Sequence, residues 1–108
     1  MRAARAIALS LPEAAEQDHH GMNSFRVRSK IFATVPDDAH LRIMVAEPEV
    51  LAACAEDARS CEPLHWGAKL SGVTVTLRSA TPQLVRELLV EAWLRKAPPA
   101  LARQLDVV

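Results

Sequence analysis

The chain contains no tyrosine, two phenylalanines, two tryptophans, three glycines and two cysteines. Each scarcity removes a class of function. Three glycines are too few for a phosphate-cradling loop, and neither GxxxxGK followed by Ser or Thr nor GxGxxG occurs, so P-loop and Rossmann chemistry are excluded. With no tyrosine, and with Phe25 and Phe32 at apolar strand positions, the aromatic platform on which single strands stack is expected to be missing. Cys54 and Cys61 lack any CxxC pairing and form neither a disulfide framework nor a zinc site; they read as two reduced thiols of a cytoplasmic protein. Apolar stretches such as Leu88 to Val90 fall far short of the ~18 residues that a membrane-spanning helix requires. The N-terminus resembles a short signal peptide only superficially, since Arg5 interrupts it and its apolar run is only Ala6 to Leu9. Net charge is lacking as well. Thirteen Lys and Arg balance thirteen Asp and Glu, so there is no bulk attraction to nucleic acid or to anionic membranes, and any such partner needs a local patch.

What is present is an ordinary globular composition over 108 residues, half of them hydrophobic and 24% charged, which sets the expectation of one domain spanning residues 1–108 with a single core. Ala4, Ile7, Ala8 and Leu11 recur at helical spacing, predicting a helix over about 2–9 that ends ahead of Pro12. Residues 12–23 are polar and without period, and read as a loop. From Ser24 the period becomes two. Phe25 and Val27 alternate with Arg26 and Arg28, Ser29-Lys30 separate them from Ile31 to Val35, which return as the second arm of a hairpin, and no turn type is assigned because neither turn residue is Asn or Gly. Leu41, Ile43 and Val45 predict a third strand. Pro48 with Glu47 and Glu49 predicts a helix start, with Val50, Leu51, Cys54 and Ala58 as its apolar stripe. Residues 62–70 allow at most a short strand around 64–66, and Gly72 opens a strand with Val73, Val75 and Leu77 inward. Thr81-Pro82 caps the longest helix, whose stripe is Leu84, Val85, Leu88, Leu89, Ala92 and Trp93 and which Pro98-Pro99 stops; residues 100–105 add a last helical turn. Strands joined by short turns run antiparallel and need the helices' apolar stripes on one face. The expected architecture is therefore an α+β two-layer sandwich, an antiparallel sheet with helices packed on one face.

Charge is segregated although it sums to zero. Residues 47–62 hold five acids against Arg59, whereas Arg26, Arg28, Arg42 and Arg78 all occupy the strand phase opposite the apolar residues, with Lys30 beside them. On an uncovered sheet face these cations serve solubility, as outward polar residues of antiparallel sheets do. They are also suited to holding phosphates, which arginine binds through two parallel hydrogen bonds. His65 and Trp66, followed by Gly67, are a second candidate, able to line a pocket for a small molecule or a partner protein. Asp18, His19 and His20 have no third ligand at a metal spacing, so no metal is expected. No GxSxG elbow or cysteine nucleophile signature occurs, and neither a cofactor nor an enzymatic activity is expected.

Leu11-Pro12-Glu13, then His20-Gly21, then Ser24-Phe25-Arg26-Val27 and Lys30-Ile31-Phe32-Ala33-Thr34 resemble the MmcQ/YjbR family, whose members carry LPE, HG and FRV-x-GKIFA in this order. Trp66-Gly67, Val73 to Leu77, Glu91-Ala92-Trp93 and Ala97-Pro98 extend the similarity over nearly the whole chain. The resemblance implies a CyaY-like α+β fold without enzymatic activity. It also implies DNA binding, the label commonly given to these proteins on the strength of a double-wing arrangement of hairpins, and here the wing would carry Arg26, Arg28 and Lys30. Ser29 stands where the family usually has glycine. Frataxin-type relatives of the fold handle iron through an acidic first helix. The first helix here carries Arg2 and Arg5 and no acid, which argues against iron. The leading expectation is a cytoplasmic, non-enzymatic protein that binds nucleic-acid phosphates through Arg26, Arg28, Lys30, Arg42 and Arg78. The alternative is a module that binds a protein or a small ligand through Trp66, His65 and the open face.

Overall fold

The structure is a computed structural model that describes residues 1–105, with His19 described through its backbone alone. A first helix, α1 (Arg2–Ser10), buries Ala4 and Ala8 and ends because Leu11, before Pro12, is held extended. Four strands follow in a meander: β1 (Ala14–His19), β2 (Met22–Val27), β3 (Lys30–Asp37) and β4 (His40–Ile43). Helix α2 (Glu47–Glu56) carries the chain to β5 (Cys61–Trp66) and β6 (Lys69–Thr76), and α3 (Pro82–Lys96) and α4 (Pro99–Leu105) complete it. All pairings are antiparallel, in the order β1-β2-β3-β4-β6-β5.

The predicted α+β sandwich is what forms. Across the inner face, Phe25, Ala33, Ile43 and Val73 stand in register on four neighbouring strands, and all four are fully buried. The α3 stripe read from the sequence, Leu84 to Trp93, is buried at every expected position. Thr81 caps the helix as expected, its hydroxyl accepting from the Leu84 amide at 3.1 Å, with Pro82 in the first turn. Trp93 is sealed in the core, and its indole Nε1 donates to the Pro12 carbonyl at 3.0 Å, tying the long helix to the segment after α1.

Three local expectations are corrected. Residues 12–23 are not a loop: β1 is an edge strand, held by its ladder to β2, and its polar sequence carries no apolar alternation because only part of it faces the core. The β1–β2 turn is His20-Gly21, both at positive φ, a pairing that suits a two-residue hairpin. The 62–70 region is also more regular than expected. β5 spans all of Cys61–Trp66, with Pro63 tolerated because this edge strand pairs on one side only, and β6 begins at Lys69 rather than Gly72. Gly72 sits inside the strand, where a Cβ would collide with the Ile43 carbonyl of β4. In α2 the buried stripe is Val50 and Ala53, while Leu51 faces solvent and Ala58 lies exposed beyond the end of the helix.

Candidate functional site

The helices cover one face of the sheet and leave the other without a layer. On that second face the register aligns Gln17, Ser24, Thr34, Arg42, Thr74 and Glu62, one residue from each strand. Strand alternation requires this row to point away from Phe25, Ala33 and Ile43. Ser24 is nonetheless fully buried: its hydroxyl donates to the Gln17 carbonyl at 2.9 Å and accepts from Arg26 Nε at 3.0 Å, so the Arg26 side chain lies back over its own strand.

A cavity of about 580 Å³ opens on this face. Arg26 of β2, Lys30 of β3, Arg42 of β4 and Lys96 at the end of α3 line it, with the hydroxyls of Ser29 and Thr34. Met22, Ile31, Met44 and the indole of Trp66 supply an apolar wall, and no Asp or Glu is among the lining residues. Lys30, Arg42 and Lys96 make no ion pair among the described residues. Burial, and then the positive charges of Arg95, Lys30 and Lys69, hold the Lys96 ammonium below the usual lysine value. Arg95 is fixed beside it by donating to the Met44 carbonyl at 2.8 Å. Cations gathered in a concavity with no carboxylate in its lining produce a positive potential that an anion would relieve.

The sequence-predicted residues divide. Arg26, Lys30, Arg42 and Trp66 converge on the cavity. Arg28 does not: it lies in the β2–β3 turn, not on the strand, and its guanidinium binds Glu13 through two hydrogen bonds of 2.6 and 3.0 Å. Arg28 and Ser29 both take positive φ, which is why glycine suits the position that Ser29 occupies. The Glu13 carboxyl is held below the usual carboxylate range by the Arg28 hydrogen bond. Arg78 lies beyond the end of β6 and lines a separate hollow with Arg59, Thr76 and Ser79. His65 is exposed and falls on the opposite strand phase from Trp66, outside the cavity lining. The His19 side chain lies outside the described residues, and among those described no three His, Cys, Asp or Glu side chains gather as metal ligands. Lys96 was missed, because nothing local in a helical lysine signals that α3 ends over the β2–β3 hairpin. Phe25 and Phe32 are fully buried, as expected, and Trp66 stands 60% exposed among the cations.

A second hollow, of about 470 Å³ between α2 and α3, has the opposite character, with Glu49, Glu56, Glu87 and Glu91 against Arg86. It repels the ligands that the cationic cavity would attract.

The fold and the motif order find their counterpart in known proteins. The family model YjbR matches residues 9–95, and the chain belongs to the YjbR family. A crystal structure of Deinococcus radiodurans protein DR2400, described as the domain DUF419, superposes with a TM-score of 0.73 at 22% identity, covering 94% of this chain and 84% of that one; at this identity the likeness concerns the fold. Among curated proteins none matches. No helix among the described residues is long and apolar enough to cross a membrane.

Proposed function

We propose that this chain is a non-enzymatic, cytoplasmic nucleic-acid-binding protein that holds backbone phosphate in the cavity between Arg26, Lys30, Arg42 and Lys96. The observation that carries the reading is the gathering of these four cations, from three strands and a helix, in one concavity without a lining carboxylate, in a chain whose charges sum to zero. Guanidinium and ammonium groups so placed contact phosphates and position the polymer without reading its sequence. Cys54 and Cys61 are free thiols, as suits a reducing compartment. Burial pushes the Cys61 thiol up to about 11, which argues against a cysteine nucleophile and for binding without chemistry.

A second reading, a small anionic ligand such as a nucleotide, is favoured by the size of the concavity: about 580 Å³ lies within the ~300–1,000 Å³ usual for small-molecule sites. One titration separates the two. A labelled oligonucleotide is expected to bind at low salt, with log affinity falling by about 0.7 to 0.9 per phosphate neutralised for each log unit of salt. Binding of a mononucleotide alone, with no uptake of the oligonucleotide at low salt, would favour the second reading and refute the first.

A further inference from the structure

Trp66 is the feature that phosphate binding does not explain. The other indole, Trp93, is fully buried and hydrogen-bonded, whereas Trp66 stands 60% exposed at the tip of edge strand β5. An indole pairs a broad apolar face with a polar N–H, and here the exposed one shares a cavity with four cations. Met22, Ile31 and Met44 continue the apolar surface on the same lining. A phosphate group alone gains nothing from such a wall. A nucleotide does, because every base offers an apolar π-face beside a charged backbone. In a duplex those faces are hidden within the stack, so an indole at a cavity mouth reaches only a base that is unpaired.

Resting on the phosphate-binding reading above, we infer that the cavity takes one unpaired nucleotide, its base stacked on Trp66 and its phosphate among the cations, and that the protein prefers single-stranded nucleic acid to duplex. Gly67, at φ +63° in the β5–β6 turn, holds the hairpin tight just beyond Trp66. Lys69, which faces Trp66 across that hairpin, adds a cation beside the indole for the next phosphate.

The test is fluorescence anisotropy at low salt with three labelled probes of equal length: oligothymidylate, an oligomer of abasic sites, and a duplex. Oligothymidylate is expected to bind about tenfold more tightly than the abasic strand, the size of one base–aromatic stack, and more tightly than the duplex. Trp66→Ala should abolish the difference between the two single strands and Trp66→Phe should keep most of it. Unchanged Trp93 fluorescence in Trp66→Phe and an unchanged melting midpoint in both variants would report intact folding. Equal affinity for the oligothymidylate and abasic strands, or a Trp66→Ala variant that still distinguishes them, would overturn the stacking inference while leaving phosphate binding in place. Failure of all three probes to bind would overturn both.

Discussion

The two faces of this sheet are made from the same strands and differ in what lies against them. The inner face carries Phe25, Ala33, Ile43 and Val73 in one row, all sealed beneath helices whose own stripes are buried. The outer face carries Ser24, Thr34, Arg42 and Thr74 one residue out of phase, with no layer above. Burial of apolar surface fixes the strand register, because a slip of one residue would exchange the two faces. The cations of the outer face are thus positioned by a core they do not touch, and are free to be chosen for another task.

If the faces divide labour in this way, substitutions on each should have separate consequences. The largest effect is expected inside. Trp93→Ala removes a fully buried indole and the donor to the Pro12 carbonyl, and should lower unfolding free energy by about 3–5 kcal/mol in urea denaturation. A variant that kept nearly all its stability would break the contrast between the faces. A smaller effect of opposite sign is expected at the cavity. In the folded chain Lys96 is held below the ordinary value of 10.5 by burial and by neighbouring cations, so its charged form is disfavoured by folding. That penalty is fully present while lysine is protonated in both states and disappears as pH rises through the folded and then the unfolded value. Lys96→Gln should therefore raise the melting midpoint slightly near neutral pH, and the gain should vanish above the usual lysine range. Oligonucleotide should stabilise the native chain more than the variant. A Lys96→Gln variant less stable than the parent at neutral pH would show that the cations are compensated.

How much of this was legible beforehand follows from which contacts are local. The α3 stripe, its Thr81-Pro82 start, and the alternation of β2, β4 and β6 follow from period and capping alone, since one face of each element is buried uniformly. β1 escaped because an edge strand of polar residues has no period to read, and β5 because Pro63 argues against a strand unless its edge position is known. At the site, alternation correctly put Arg26 and Arg42 opposite the core. It could not show that Arg28 would turn away to Glu13, nor that Trp66 and Lys96, distant in sequence, would close the same cavity. Arg26, Lys30 and Arg42 of one candidate site and Trp66 of the other line the same cavity, while Arg28, Arg78 and His65 stay outside it.

The most direct measurement is the salt dependence of single-stranded oligonucleotide binding by the native chain and by a Lys30→Ala/Arg42→Ala variant. These two residues come from different strands, line the cavity and make no ion pair among the described residues. Removing two phosphate contacts should flatten the slope of log affinity against log salt by about 1.4, with the melting midpoint preserved. An unchanged slope and affinity in a folded variant would contradict the account.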